Sequence, residues 1–249
     1  MAHPFPLRLV SSRMLAPSVR HLVFTRDDGQ PLDFVPGQFI QVHFDSPDGA
    51  PAKRSYSLAT MHDHALAPGD AVEIAVSYVP GGAATALFTA LDEGQQIQAS
   101  GPYGRFCLHA GDSNRRYLLI ATGTGVTPYR SMLPLLAQLF GERDVAIVLI
   151  QGARTAEELL YAEDFRRFAA EHPRFRFVGC VSRETPGPGA TDLRAGYVQE
   201  ALAALAPDAD HDIAYLCGNP NMVDACFEHL KGHGLPIPHI RREKYVSSK

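Results

Sequence analysis

Residues 117–128 read YLLIATGTGVTP, and this stretch decides the fold of the second half of the chain. Its first five residues are apolar and predict a short buried strand. The glycines that follow allow a tight turn, and Pro128 suits the first turn of a helix, where its missing N–H costs nothing. Strand, glycine loop and helix in this order indicate a loop that binds a pyrophosphate at the helix N-terminus. A plain glycine turn is the alternative, because Pro128 replaces the last glycine of the usual motif.

The same rhythm continues to the end of the chain. The helix that begins at the glycine loop is predicted near 128–140. After it, three more apolar runs alternate with three amphipathic stretches. The runs cover 145–152, 175–182 and 213–218, and the stretches lie near 156–170, 196–205 and 220–232. Alternating strands and helices at this spacing predict an α/β domain with a doubly wound parallel sheet. We assign residues 111–249 to this domain.

The first half of the chain has a different pattern, with short alternating segments between turn signals such as Pro36-Gly37. The predicted strands are 6–15, 19–26, 38–44, 54–59, 72–79, 95–100 and 105–108, with one short helix near 83–91. Strands of this length and spacing predict an antiparallel β-barrel. We assign residues 1–110 to this domain and place the boundary in the polar segment 109–116.

Composition narrows the class of protein. With 249 residues, the chain has room for two domains of ordinary size. Hydrophobic residues make up 45% and charged residues 20%, which predicts a globular protein. The net charge of −4 argues against nucleic-acid binding, and no run of about 18 apolar residues suggests a membrane span. Because the N-terminal stretch lacks an apolar signal core, we expect a cytoplasmic protein. We also expect a monomer.

The four cysteines, at positions 107, 180, 217 and 226, form no C-x-x-C pair and no iron–sulfur spacing. We therefore expect reduced thiols and no bound metal. Any partner that receives single electrons must then be a separate molecule.

Two motifs of the first half suit a flavin nucleotide. In KRSYSLAT, residues 53–60, Arg54 and Tyr56 should project to one face of a strand, because side chains alternate. A guanidinium binds phosphate through a planar fork, and a phenol ring can cover a flat heterocycle. In GGAAT, residues 81–85, two glycines before a helix allow close approach to a phosphate, and Thr85 adds a hydroxyl.

Two groups of the second half follow predicted strands, and a third lies in the tail. Arg154, Arg183 and Arg194 could bind the 2′-phosphate of NADP, since NAD sites usually present an acid. Cys217 precedes Gly218 at a strand end and could face a ligand, although a buried structural thiol is the usual role of a single cysteine. The tail, residues 241–245, either frays or forms a final strand.

Taken together, the motifs resemble the ferredoxin–NADP reductase superfamily. They are R-S-Y-S at 54–57, G-G-x-x-T at 81–85, G-P-Y-G at 101–104, G-T-G-V-T-P at 123–128, C-G-N-P-N-M at 217–222 and E-x-Y at 243–245. The resemblance covers nearly the whole chain. The bacterial ferredoxin/flavodoxin–NADP reductases are the most similar group, given V-S-R-E at 181–184 and C-G-N-P.

The resemblance implies roles for the matching positions. Arg54 would bind the FAD pyrophosphate, Tyr56 would stack on the isoalloxazine, and Ser57 would hydrogen-bond near its N5. The positions implied to bind FAD are Arg54, Ser55, Tyr56, Ser57, Ala75, Val76, Ser77, Gly82, Ala83, Ala84, Thr85 and Tyr245. Those implied to bind NADP(H) are Thr124, Gly125, Val126, Thr127, Arg154, Ser182, Arg183, Arg194, Cys217 and Gly218.

Four positions are implied to take part in catalysis. Besides Ser57, Cys217 and Glu243 would lie beside the nicotinamide, and Tyr245, in a tail that returns to the flavin, would be displaced when nicotinamide enters. The resemblance thus implies an FAD-dependent reductase that exchanges a hydride with NADP(H) and single electrons with a separate ferredoxin or flavodoxin. Three alternatives remain open: a flavin reductase that uses free flavin, the reductase component of an oxygenase, and a non-catalytic module that binds flavin or nucleotide.

Overall fold

The computed structural model of the chain describes residues 3–46, 49–62, 67–109 and 111–246. These residues divide into two compact units. The first comprises the chain up to Leu108 together with Thr127–Pro134, and the second comprises His109–Val126 and Leu135–Val246.

The first unit contains six strands and one helix. They are β1 (Phe5–Ala16), β2 (Val19–Arg26), β3 (Phe39–Asp45), β4 (Pro51–Ser57), β5 (Val72–Ser77), α1 (Ala83–Ala90) and β6 (Gln96–Tyr103). The strands pair in the order β4-β3-β6-β1-β2-β5, and every pair is antiparallel. A bridge between Leu58 and Ile74 joins the two ends of this sheet, so the strands close into a barrel. The predicted antiparallel barrel is confirmed.

The barrel core follows from alternation along the strands. In β1, Phe5, Leu7 and Leu9 are buried while the residues between them are partly exposed. The matching faces of the other strands supply further apolar side chains, and α1 adds the fully buried Phe88. Side chains that alternate in this way fill a small barrel without leaving an interior channel.

One strand predicted in this unit is wrong. Residues 105–108 pair with no strand among the described residues, and Gly104, with φ +102, directly follows the end of β6. The apolar character that suggested a strand serves a different purpose here. Phe106 is buried, and its ring lies 6.1 Å from that of Tyr129.

The chain from residue 116 onward alternates strands and helices, and the first half of one helix, Thr127–Pro134, belongs to the first unit. The strands and helices are β7 (Arg116–Thr122), α2 (Thr127–Glu142), β8 (Ala146–Ala153), α3 (Ala162–Glu171), β9 (Phe175–Val181), β10 (Leu193–Ala195), α4 (Val198–Ala204), β11 (Asp212–Gly218), α5 (Pro220–Gly232) and β12 (Ile240–Lys244). All strands are parallel, in the order β10-β9-β8-β7-β11-β12. The chain builds outward from β7 first in one direction and then in the other, which confirms the predicted doubly wound sheet.

The helices cover both faces of this sheet. Apolar residues of α4 and α5, such as Leu202 and Phe227, pack in one cluster with Leu118 and Ile150 of the strands. Aromatic contacts attach α3, where the ring of Phe165 stacks on that of Phe177 with centroids 5.6 Å apart. Strands buried on both faces read as continuous apolar runs, which is why the sequence displays them clearly.

Two differences from the predicted elements have clear causes. The helix predicted at 156–170 is divided into a 3₁₀ turn, Ala156–Glu158, and α3, because Tyr161 between them has φ 57. The three-residue strand β10 was not predicted, since Leu193–Ala195 is too short to show a period. The tail does form a final strand, β12, in parallel with β11.

Candidate functional site

Arg54 and Tyr56 lie on one face of β4. Both are half-buried, whereas Ser55 between them and Lys53 before them are exposed. The Arg54 guanidinium donates to the Lys53 carbonyl oxygen at 2.9 Å. The Tyr56 ring meets the Phe88 ring of α1 edge-on, with centroids 5.3 Å apart. Burial raises the pKa of Tyr56 to about 12, although the charge of Arg54 opposes this, so the phenol stays neutral.

Ser57 and the end of β5 lie near the line where the barrel closes. Ser57 is the last residue of β4 and is buried. In β5, Ala75 and Val76 are buried and Ser77 is exposed. On the side away from β2, no strand of the described residues pairs with positions 75–77 beyond the bridge at Ile74. Backbone groups there can meet a ligand.

The loop before α1 is shaped by its glycines and by Thr85. Gly81 has φ +75, and a Cβ on Gly82 would lie 3.1 Å from the Val79 carbonyl oxygen. The Thr85 hydroxyl accepts from the Val79 N–H at 2.9 Å and donates to the Val79 carbonyl at 3.0 Å, so it holds the loop together.

The start of α1 keeps two backbone donors for a ligand. The N–H groups of Thr85 and Ala86 both donate to the Gly82 carbonyl oxygen. The N–H groups of Ala83 and Ala84, at the start of the helix, therefore have no acceptor within it. A diphosphate fits such a position, because its oxygens can accept from both.

The glycine loop of the second unit runs directly into α2. Gly123–Val126 forms a 3₁₀ turn, and the backbone of Val126 is already helical. A Cβ on Gly125 would lie 2.3 Å from the Cys217 carbonyl oxygen, so no side chain fits there. At the first position of α2, the Thr127 hydroxyl is buried and has no hydrogen-bond partner in the described residues. An orphaned hydroxyl at a helix N-terminus is the kind of group that a phosphate oxygen would satisfy.

Cys217, Gly218, Glu243 and Tyr245 meet where β11 and β12 end. Cys217 pairs in register with Glu243, and the Tyr245 N–H donates to the Gly218 carbonyl at 2.8 Å. Gly218 has φ +127, and a Cβ on it would lie 2.5 Å from the Thr122 carbonyl oxygen. This crowding brings the end of β11 against the end of β7, beside the glycine loop.

Burial controls protonation in this group. It raises the pKa of the Cys217 thiol well above its ordinary value; the Glu243 carboxylate adds to the rise, and a hydrogen bond with Tyr245 opposes it. Burial also raises the pKa of Glu243 to about 7. Near neutral pH the thiol is therefore protonated, and the carboxyl group of Glu243 can hold or release a proton.

The predicted basic group is only partly assembled. The Arg183 N–H donates to the Arg154 carbonyl at 2.8 Å, and the Ser182 N–H donates to the Ala153 carbonyl at 3.1 Å, which joins the ends of β8 and β9. Arg194 lies on the neighbouring β10, in register with Cys180, and its Nε is buried without a partner among the described residues.

Arg154 and Arg183 differ in their partners. Arg154 forms a two-point ion pair with Glu158, with Nε–Oε2 at 2.9 Å and Nη2–Oε1 at 2.5 Å. Arg183 is exposed and makes no ion pair within the described part of the chain. One guanidinium is thus held by an acid and the other is open to a ligand.

Several structural partners of the site were not predicted. The Thr122 hydroxyl accepts from the Asn219 N–H at 3.0 Å and fixes the turn after β11. Asn219 caps α5 by accepting from the Asn221 N–H at 2.9 Å. An Asn followed by Pro before an apolar stretch is a helix-start signal that could have revealed this cap. Glu158 carries a weaker signal, its spacing of four residues from Arg154.

Other kinds of site find no support in the described residues. No group of three or more His, Cys, Asp or Glu side chains there is arranged to hold a metal ion. None of the four cysteines forms a disulfide within the described residues. None of the helices in the described ranges has the length and apolar character needed to cross a membrane.

Comparison with known proteins places this geometry in a family. Residues 6–107 match the oxidoreductase FAD-binding domain, and residues 119–228 match the oxidoreductase NAD-binding domain. Ferredoxin–NADP reductase B of Sorangium cellulosum is 35% identical, and the alignment covers 98% of each chain. The chain belongs to the ferredoxin–NADP reductase family. The predicted family and the predicted pair of cofactors, FAD and a nicotinamide dinucleotide, are confirmed.

Other relatives of this family member are longer proteins. The reductase component of propane 2-monooxygenase from Rhodococcus jostii is 32% identical over 86% of this chain, but the chain spans only 56% of its length. The crystal structure of the Amycolatopsis cytochrome P450 reductase matches with a TM-score of 0.82 and 31% identity, over 97% of this chain and 69% of that chain.

Proposed function

We propose that this protein is a reductase that accepts reducing equivalents from NADPH and passes them singly to a separate ferredoxin or flavodoxin. We assign FAD binding to residues 1–110 and coenzyme binding to residues 111–249, in a cytoplasmic monomer. Bound FAD supplies the chemistry that converts a hydride into single electrons. The observation that carries the proposal is the group of Cys217, Glu243 and Tyr245 at the ends of β11 and β12.

In the first unit, the chain's task is to bind and orient the flavin nucleotide. Arg54 would bind the pyrophosphate, with the N–H groups of Ala83 and Ala84 on its other oxygens. Tyr56 would hold the ring system in place, supported by Phe88. The remaining contacts would come from Ser55, Ser57, Gly82, Thr85 and the backbone of Ala75, Val76 and Ser77. Because its hydroxyl is bonded to Val79, Thr85 would act by fixing the loop.

In the second unit, the glycine loop would bind the coenzyme pyrophosphate through Thr124, Gly125, Val126 and Thr127. The orphaned hydroxyl of Thr127 supports this role. Gly218 would contact the coenzyme through its backbone, because the space that a side chain would take is filled by Thr122. Tyr245 is proposed as the aromatic side chain that the nicotinamide displaces.

Proton control is the proposed task of Glu243, with Cys217 and Ser57 as orienting groups. A pKa of about 7 lets Glu243 hold a proton below neutral pH and release it above, and a group that titrates near neutral pH suits proton transfer there. The thiol of Cys217 stays neutral and packs against the nicotinamide position without adding charge.

The preference for NADP(H) over NAD(H) is proposed from the arginines after β8 and β9. Arg183 is the proposed anchor of the 2′-phosphate, because its guanidinium makes no ion pair in the described residues. Ser182 is half-buried beside it, and its hydroxyl donates to the Ala153 carbonyl at 3.3 Å, so it would bond the phosphate by exchanging that acceptor. Arg154 and Arg194 complete the proposed set.

A second candidate function has specific support. Relatives similar to this chain are named as reductase components of propane 2-monooxygenase and of an aromatic O-demethylase. The protein could therefore deliver electrons to an oxygenase instead of a general carrier. Rapid-mixing reduction of purified flavodoxin, ferredoxin and oxygenase component by the NADPH-reduced protein separates these candidates by rate.

The test of the proposed function is a visible spectrum of the purified protein, followed by anaerobic titration with NADPH and, separately, NADH. We expect flavin bands that bleach with NADPH. A protein that carries flavin but does not bleach with either coenzyme would contradict the proposal. A colourless protein that reduces added free flavin would favour a flavin reductase.

A further inference from the structure

Glu158 occupies an unusual place in the proposed coenzyme site. Its carboxylate accepts three hydrogen bonds from Arg154, from Nε at 2.9 Å, from Nη2 at 2.5 Å and from the backbone N–H at 3.2 Å. Only about a fifth of the Glu158 side chain is exposed, at 22%, whereas 55% of the Arg154 side chain is exposed. The acid is therefore the fixed partner of the pair, and the guanidinium lies on the solvent side.

A second arginine lies beside this pair, since the Arg183 N–H donates to the Arg154 carbonyl at 2.8 Å. The positive charge of Arg183 acts on Glu158, whose pKa is lowered first by the hydrogen bond from Arg154 and also by the nearby charges, against the opposing effect of burial. Glu184 lies at the same edge, where its carboxylate accepts from the Ala156 N–H. Two arginines and two glutamates thus lie after β8 and β9, and their formal charges cancel.

A balanced edge does not suit a strict NADP site. The 2′-phosphate carries nearly two negative charges and needs uncompensated guanidinium groups, whereas the 2′-hydroxyl of NAD needs an acceptor such as a carboxylate. Arg183 can serve the phosphate with its full charge. Arg154 already gives its Nε and Nη2 hydrogens to Glu158, and the carboxylate offsets its charge, so it binds a phosphate less strongly. The same carboxylate is placed to accept from a 2′-hydroxyl.

We infer that Glu158 is a specificity-determining residue that lowers the discrimination between NADPH and NADH. It competes with the 2′-phosphate for Arg154, and it accepts the 2′-hydroxyl of NAD(H). This inference rests on the proposed function, because it needs the coenzyme adenosine to bind at the ends of β8 and β9. Its consequence is a reductase that takes both coenzymes.

Calorimetry on the FAD-loaded protein tests the inference without relying on turnover. The probes are adenosine 2′,5′-bisphosphate and 5′-AMP, which differ only in the 2′-phosphate. We expect Glu158→Gln to bind the bisphosphate about tenfold more tightly, as a freed charge-assisted hydrogen bond would give, and to bind 5′-AMP no more tightly. Glu157→Gln is the matched control, because Glu157 is an exposed acid on the same 3₁₀ turn, and it should behave like the unchanged protein.

A double variant checks the route of the effect. If the gain comes through Arg154, then Arg154→Gln in the Glu158→Gln background should remove it. Equal bisphosphate affinity in Glu158→Gln and the unchanged protein would overturn the inference, as would an equal gain for both nucleotides or an equal gain in Glu157→Gln. Absence of binding of either nucleotide by the unchanged protein would instead overturn the proposed coenzyme site, and the inference with it.

Discussion

Replacement of Glu243 by Gln tests whether burial holds a proton at the end of β12. Burial raises the pKa of Glu243 from its ordinary value of 4.5 to about 7. The folded state therefore favours the protonated carboxyl group. Its contribution to stability is complete below the unfolded pKa, near 4.5, and is lost as the pH rises through about 7.

The magnitude follows from the pKa shift. At about 1.4 kcal/mol per pKa unit, the shift corresponds to on the order of 3 kcal/mol, and water at the partly exposed carboxyl group makes this an upper bound. Gln cannot ionise, so Glu243→Gln should become more stable relative to the unchanged protein as the pH rises.

The assay is urea unfolding of both FAD-loaded proteins at about pH 5 and about pH 8, followed by circular dichroism. The difference between the two proteins cancels the titration of all other groups. Glu228→Gln is the control, because Glu228 is an exposed acid of α5 and its variant should show no pH-dependent difference. The reasoning would be refuted if the difference in free energy of unfolding between Glu243→Gln and the unchanged protein were the same at both pH values.

Three other changes give direct tests. Gly125→Ala places a Cβ against the Cys217 carbonyl oxygen and should cost about 1–3 kcal/mol in thermal unfolding, whereas Gly141→Ala, in an open helical position, should stabilise by up to about 1 kcal/mol; equal effects would contradict the packing argument. Glu73→Gln removes the carboxylate that pairs with the buried guanidinium of Arg130 in α2, with Nη1 and Oε2 2.6 Å apart. It should lower the free energy of unfolding in urea by about 3 kcal/mol, and a loss below the error of the measurement would show that the pair is solvated. Ser57→Ala should slow single-turnover bleaching by NADPH while FAD content stays unchanged, and an unaltered rate would remove the hydroxyl from the mechanism.

Much of the fold could be predicted because local signals agree with the tertiary structure. Helix α5 is the clearest case, predicted at 220–232 and found at Pro220–Gly232. Asn219 and Pro220 mark its start, and Gly234 with φ +87 follows its end. The helix expected at 156–170 shows the limit of periodicity. Its apolar pattern continues through Tyr161, although the backbone there is left-handed and ends the turn before α3 begins.

The candidate site was predicted less completely, because motifs name residues but not their partners. The motif around Arg154 identified a basic side chain, but in the structure that side chain forms an ion pair with Glu158. Likewise, Thr85 was expected to offer its hydroxyl to a phosphate, and the loop uses both sides of that hydroxyl on Val79. Such pairings depend on loop conformation, which a spacing rule does not determine.

The closure of the barrel has a mechanical consequence. Every neighbouring pair of barrel strands shares a ladder of at least four residue pairs, whereas β4 and β5 meet at one bridge, Leu58–Ile74. Just after β4, the Ala59 N–H donates to the Glu73 carbonyl at 2.7 Å, and the Glu73 N–H donates to the Thr60 hydroxyl at 2.8 Å. We call the line between β4 and β5 the slit, and a barrel opens first where its strands share the fewest hydrogen bonds. The residues proposed to hold FAD, 54–57 and 75–77, lie on the two sides of this slit. Bound cofactor would then hold the two sides of the slit together. Removing it should speed hydrogen–deuterium exchange of the amides along the slit, while amides on the opposite side of the barrel stay protected.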